Sequence, residues 1–532
     1  MVDLISLDYV IIAGYFLVVF GIAAWATIKE KVNASSSDYF LGGKNVGWFV
    51  IGASLFASNI GSEHLVGLAG SGASSGVAVG QFEILAGFML LLLGWVFVPF
   101  YVRSGVFTMP EFLEKRYSSG ARTYLTWVSI IAYILTKISV TIAAGAIVFT
   151  AIGVEFWTGA LIIVVATGVY TIFGGLKAVL YTDMIQMFVL IGGSIAVTIF
   201  GLQALGGWGE LQATVGDSYF DMWQPMDHPD FPWTGILFGA PILGIWYWCT
   251  DQYIVQRVLS ARNIEQARKG TIFGGFLKML PLFLFVVPGI IAYALSQKGM
   301  LELESNDQSL IVMVKAMVPA GLRGLVIAGL LAALMSSLSS VFNSCSTIFT
   351  IDVYKRWKPE TPEKKLVVIG QIATIIMVAI GLLWIPFMEN VSDSLFVYLQ
   401  SVQGYISPPI AAVFLLGIFF KRLNGQGAMA ALLTGLGIGA LRFVLEQMQD
   451  SLSGIVYDFA TFNFLHFAIF LFVICSAVLV VVSLMTPAPA PEKTDGITYE
   501  RGVQTESGKK KLDTLLTIVL IAIIAALWIY FS

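Results

Sequence analysis

The residues of this sequence with chemistry to explain are polar and ionisable side chains set inside long apolar runs. Between Ala53 and His64 the order Ala-Ser-Leu-Phe-Ala-Ser-Asn-Ile-Gly-Ser-Glu-His brings Asn59, Glu63 and His64 into one such run, followed by Gly67, Gly70 and Gly72. Ionisable groups at membrane depth are expensive and face a cavity or a partner. A helix broken here frees backbone carbonyls that coordinate a cation. Packing through small residues accounts for the glycines and serines, but it does not call for Asn59, Glu63 and His64 together. Glu83, with Gln81 beside it, faces either a cavity or an ion-pair partner such as a Lys. Lys278 sits midway through an apolar run and its charge needs pairing. Lys137 is a similar case, with no partner legible in the sequence. Ser336, Ser337, Ser339 and Ser340, then Asn343, Ser344, Ser346 and Thr347, share helix faces at i, i+3 and i+4. Their hydroxyls either bond back to the preceding turn or supply oxygens to a hard monovalent cation. Trp246-Tyr247-Trp248 offers faces on which sugar rings stack, or forms part of an interfacial belt. Gln400 and Gln403, ahead of Pro408 and Pro409, suggest a kinked helix presenting amides to a cavity.

The elements that position these residues are membrane helices. The 532 residues are 57% hydrophobic and only 12% charged, with a mean hydropathy of +0.84, against roughly 25% charge in soluble domains. Hydropathy predicts about 14 spans, at 8–28, 46–71, 75–102, 123–151, 156–174, 179–205, 234–256, 270–296, 309–352, 364–386, 393–419, 427–447, 463–485 and 511–531. The stretch 309–352 is too long for one span, so a short external helix ending near Pro319 should precede the spanning one. With the N-terminus outside, alternate loops hold most of the 30 Lys and Arg, Arg103, Lys115, Arg116, Arg122 and Arg257 among them. Those loops read as cytoplasmic and both termini as external. The opposite loop at 206–233 has five acidic residues and no Lys or Arg. Pro487, Pro489 and Pro491 open a polar cytoplasmic linker before the last helix. The first apolar run lacks a basic region ahead of it and reads as a retained helix.

Several classes drop out. A net charge of −3 suggests no nucleic-acid partner. Cys249, Cys345 and Cys475 lack metal spacing and read as core residues. The glycosylation-pattern matches at Asn33 and Asn390 read as chance. There is no phosphate loop of the Walker type, no His-Glu-x-x-His and no Gly-x-Ser-x-Gly. Neither enzymatic activity nor ATP-driven transport by this chain is expected, and an ion gradient should supply the energy.

Longer words now stand out: Ala57-Ser-Asn-Ile60 with Gly61 and His64, Gly105 to Glu111, Tyr170 to Ala178 through Gly174-Gly175, Tyr181-Thr-Asp183, Trp246 to Gln252 with Gln256-Arg257, and Met335-Ser-Ser-Leu through Asn343. In this order the chain resembles the sodium/solute symporters, in particular the sodium–glucose cotransporter branch, from about residue 8 to about 450. The resemblance implies an all-α membrane protein with a LeuT-like core of five plus five inverted-repeat helices, one helix before and three after. Residues 1–45 would be the first helix and a cytoplasmic loop, 46–205 the first repeat, 206–233 an external loop and 234–419 the second repeat. Two peripheral helices at 420–485, a linker at 486–510 and the last helix at 511–532 would follow.

The resemblance also implies roles. A Na⁺ site would take carbonyls of Ala57, Ile60 and Ala333 with the hydroxyls of Ser336 and Ser337. A second Na⁺ would sit at Asp183, Ser339 and Ser340, with Ser336 shared. A monosaccharide of the glucose or galactose type would bind Asn59, His64, Phe82, Glu83, Trp248, Lys278 and Gln400, with Tyr247 as the cytoplasmic-side gate. Gly244 departs from the polar residue common in sugar-carrying relatives, and Glu63 from the Gly of animal members. The short loop at 297–308 favours a bacterial plasma-membrane protein. Na⁺ is the expected coupling ion, the lipid bilayer the expected surroundings, and neither an organic cofactor nor an obligate protein partner is expected. Symport of another solute (an inositol, a sialic acid or an amino acid) and a sugar sensor of the same fold are the rival readings. Glu83 disfavours a carboxylate solute.

Overall fold

The computed structural model describes residues 4–30, 35–61, 63–151, 153–384, 395–499 and 510–532. Asn33, Asn390 and residues 500–509 of the 486–510 segment lie outside these ranges. Among the described residues extended pairing amounts to one isolated bridge, Val46 with Ala261.

Among the described residues eleven helices are long and apolar enough to cross a membrane, and two shorter apolar helices lie between them. In chain order they are α1 (Ser6–Ile28), α2 (Trp48–Asn59), α3 (Glu63–Ser104), α4 (Ser119–Thr150), α5 (Phe156–Leu205), α6 (Gly235–Thr250), α7 (Ile264–Gln297), α8 (Leu322–Trp357), α9 (Glu363–Leu383), α10 (Gln400–Phe419), α11 (Gly425–Gln447), α12 (Phe464–Met485) and α13 (Lys511–Tyr530). The short ones are α2 and α6. A short helix, Ser309–Met317, precedes α8.

The difference from 14 spans falls at three breaks. First, α2 stops at Asn59 because Ile60 is extended (φ −75°, ψ 103°). The chain resumes as a helix at Glu63 and turns again at Gly76 (φ 68°, ψ −148°). Second, α5 holds two arms that meet at Gly175 (φ 55°, ψ −159°), a conformation that glycine adopts without steric cost. A Cβ there would stand 2.5 Å from the Tyr39 carbonyl oxygen. Third, α6 ends where Asp251 turns extended (φ −76°, ψ 127°) and caps a helix over Gln252–Leu259.

A break of another kind lies inside α7. Its helix runs to Leu277, tightens at Lys278, and resumes after Pro281, whose missing N–H and ring interrupt the ladder. Lys278 sits at the distortion. The α5 and α8 helices pack along one another, and α2 lies against α7. All three cysteines are free and buried.

Two cations that the hydropathy count assigns to cytoplasmic loops are interior residues. Arg116 is 1% exposed and Arg257 is 0% exposed. Arg116 donates to the carbonyl oxygens of Gly417, Phe420 and Leu423 at the end of α10. Those carbonyls have no partner within the helix, and a guanidinium both bonds them and meets the negative end of the helix dipole.

Candidate functional site

The break after α2 explains the first cluster. Carbonyls of the last helical turn lose their i+4 donors where a helix ends. Here the Ser337 hydroxyl on α8 donates to the carbonyl oxygens of Ser58 at 2.8 Å and Ile60 at 3.1 Å. The Tyr253 hydroxyl donates to the Ser58 carbonyl as well. The close approach needs Gly61, since a Cβ there would lie 2.7 Å from Ser337 Oγ. Freed carbonyls and a hydroxyl thus converge in a buried spot, an all-oxygen neutral set that suits a hard monovalent cation. Of the residues expected for the first site, the structure brings Ile60 and Ser337 into contact. Ser336 turns away and donates to Asp183 Oδ1 at 2.6 Å, while Ala57 and Ala333 are buried alongside. Ser58, which the resemblance does not name, supplies the carbonyl nearest to Ser337.

Asp183, on α5, is fully buried. It accepts from Ser54 at 2.5 Å and Ser58 at 2.9 Å as well as from Ser336. Its charge partner is Arg257, 3.8 Å away. The guanidinium also donates to Ser54, Ser58 and Ser340. Ser339 bonds back to the Ser336 carbonyl at 3.0 Å. Arg257 thus contacts Asp183 and Ser340, two of the residues expected at the second ion position. Reading Arg257 as a loop cation concealed this, and its place one turn below Tyr253 on a buried helix was the available signal.

Beside the break lies a cavity that opens in part to solvent. Asn59, His64, Phe82, Glu83, Tyr247, Trp248 and Gln400 all line it, with Glu63, Gln403 and Gly244. Lys278 stands behind the wall. Its ammonium donates to Glu83 Oε2 and Asn59 Oδ1 and lies 3.4 Å from His64 Nε2. His64 Nε2 also meets Glu83 Oε1 at 3.1 Å. Glu83 thus both faces the cavity and forms an ion pair, which joins the two alternatives left open by its sequence position. Asn59 Nδ2 donates to Tyr247 Oη at 2.9 Å, linking α2 to α6. The Lys278 ammonium lies 5.4 Å from the centre of the Trp248 ring.

Lys137 has a partner that the sequence did not disclose. Its ammonium lies 3.8 Å from Glu63 and rests over the rings of Tyr247 and Tyr253, at 4.5 and 4.6 Å. Phe82 meets Phe231 of the acidic loop and Phe464 of α12, with ring centres 6.1 and 6.5 Å apart.

Comparison with known proteins bears on the family and the fold. The model of the "Sodium:solute symporter family" matches residues 39–435. "Sodium/glucose cotransporter 4" of Mus musculus is 39% identical, over 92% of this chain and 77% of that protein. "Sodium/myo-inositol cotransporter" of Homo sapiens is 38% identical, over 92% of this chain and 75% of that protein. Among solved structures, a Na⁺-coupled sialic acid symporter in a substrate-bound outward-open state superposes with a TM-score of 0.77 at 21% identity, over 91% of this chain and 99% of that one. That likeness fixes the fold as an all-helical LeuT-like one.

Proposed function

The chain belongs to the sodium:solute symporter family, and from that premise we propose that it is a secondary active transporter that carries a monosaccharide of the glucose or galactose type into the cell together with Na⁺. The observation that carries this is the joining of two sites at one helix break. Ser58 and Ile60 offer carbonyls to Ser337 on one side, and Asn59, between them, turns its amide to Tyr247 and Lys278 on the other.

The proposed cycle follows from that connection. Na⁺ enters among the carbonyls of Ala57 and Ile60, the Ser58 carbonyl, and the Ala333, Ser336 and Ser337 oxygens, tying α2 to α8. This fixes the direction of Asn59 and completes the polar wall of the cavity. Sugar hydroxyls are donors and acceptors at once, so carboxylate, amide, ammonium and imidazole groups together match them, and an analogue lacking a hydroxyl leaves buried partners unpaired. Ion and solute then leave past Tyr247. Coupling equals the difference in Na⁺ affinity between the two states and cannot exceed it. The membrane potential adds about 2.3 kcal/mol per charge per 100 mV. A second Na⁺ at Asp183, Ser336, Ser339 and Ser340 requires Arg257 to withdraw. We place the chain in the plasma membrane of a bacterium with both termini outside.

Myo-inositol is a second reading, favoured by the Glu63 carboxylate in the cavity. Uptake of radiolabelled glucose, galactose and myo-inositol into proteoliposomes, under an inward Na⁺ or K⁺ gradient, tests both. Hexose accumulation with Na⁺ alone is expected. Na⁺-driven uptake of inositol without hexose would keep the coupling and replace the solute, and uptake indifferent to Na⁺ would refute the proposal.

A further inference from the structure

Glu63 is the carboxylate of the cavity whose bonding capacity is unspent. Among the described residues its charge partner is Lys137 at 3.8 Å, beyond hydrogen-bond reach. Glu83 differs, with one oxygen against His64 and the other against Lys278. An ionised carboxylate has two oxygens and about four acceptor positions, and the Glu63 side chain is 18% exposed at the cavity. Lys137 is itself held over the rings of Tyr247 and Tyr253, and its ammonium reaches Tyr247 Oη only at 3.5 Å.

Part of the cavity lining carries no hydrogen-bonding side chain. A Cβ on Gly244 would stand 2.7 Å from Met89 Cγ, so the Met89 side chain fills the space a side chain at 244 would take. Leu85, Met89 and Leu243 belong to that apolar part of the lining. Charge also constrains the solute. Glu63 and Glu83 offset Lys137 and Lys278, so a charged solute would unbalance a buried site.

We infer that Glu63 binds two adjacent hydroxyls of a neutral polyol, one on each carboxylate oxygen, and is the residue that decides which polyol is carried. This rests on the reading of the cavity as the solute site. The diol donates both of its O–H groups to the carboxylate oxygens. A site built to bond a hydroxyl rejects the analogue that lacks it far more strongly than an apolar pocket does.

The test is competition against Na⁺-driven uptake of labelled D-glucose by the 2-, 3-, 4- and 6-deoxy derivatives and by glucosamine. It uses the full chain in proteoliposomes, as wild type, Glu63→Gln and Glu63→Gly. In the wild type, two adjacent deoxy positions should each weaken competition by about tenfold or more. In both variants those two analogues should compete as well as glucose within about twofold, while the other positions keep their wild-type penalties. Half-saturating Na⁺ should stay unchanged. Penalties equal in wild type and variants at every position would overturn the inference, as would a wild type with no adjacent penalised pair. Stronger competition by glucosamine than by glucose in the wild type, lost in both variants, would overturn the neutral-diol assignment. If the wild type shows no Na⁺-driven hexose uptake, the hexose reading falls first and this inference with it.

Discussion

At the scale of single residues, the cavity is organised by a buried ion pair. Lys278 is 1% exposed and holds Glu83 and Asn59 together. Removing one partner strands a charge, at a cost of about 3–5 kcal/mol. Lys278→Met should therefore both abolish hexose uptake and lower the thermal midpoint of the purified protein. The double variant Glu83→Gln/Lys278→Met should recover most of the midpoint, because no charge is left alone, and none of the transport. Recovery of transport would show that the pair serves folding only. Such residues were legible in the sequence because a charge in an apolar run has to be explained, and Asn59, His64, Glu83, Trp248 and Gln400 do meet in one cavity. Partners were less legible. Nothing local says that Lys137 lies near Glu63, or that Arg257 reaches Asp183, since each pair joins segments more than 70 residues apart. Which oxygens face Ser337 depends on how far α2 unwinds, and that is set by tertiary contacts.

At the scale of elements, the helix carrying the serines is fixed in part by the first helix of the chain. Asp8, near the start of α1, is fully buried. Its Oδ1 accepts from the backbone N–H groups of Gly321 and Gly324 at 2.8 and 2.9 Å. It thus caps α8 from another helix, satisfying donors that have no partner within α8. Gly324 permits the approach, since a Cβ there would lie 2.7 Å from the Asp8 backbone. Loss of a cap costs about 0.5–2 kcal/mol, so Asp8→Ala should lower the thermal midpoint measurably and leave solute discrimination unchanged. Altered solute preference would mean that α1 shapes the cavity. The last helix has a similar place. Trp528 donates to Gln81 at 2.7 Å, and Ile524 and Leu520 lie against Gly87 and Gly275. Thus α13 packs on the segments that carry Glu83 and Lys278. Trp528→Phe keeps the packing and drops the N–H donor. It should shift the solute KM by less than about tenfold, the worth of one neutral hydrogen bond, as measured by uptake. The hydropathy pattern showed both helices as spans, but a pattern of apolar residues does not say which neighbour each helix caps.

At the scale of the whole molecule, composition identified a membrane bundle before any residue was singled out. The three breaks at Ile60, Gly175 and Asp251 account for the difference between 14 apolar stretches and the eleven long helices. Hydropathy averages across the breaks at Ile60 and Asp251, because a break of one to three residues does not change a window of about 19, whereas the boundary between the stretches 156–174 and 179–205 falls at Gly175. Two of the three breaks border the sites described above, consistent with irregular backbone being tolerated at membrane depth only where it is buried in protein or lines a cavity. The central claim is that Na⁺ ties α2 to α8 and thereby completes the solute cavity. The Na⁺ dependence of hexose uptake in Ser337→Ala, beside the wild type, addresses it most directly. The half-saturating Na⁺ concentration should rise about tenfold or more, as expected for a lost ligand worth about 1.4 kcal/mol or more, and the solute KM at saturating Na⁺ should return to the wild-type value. An unchanged Na⁺ dependence would contradict the claim.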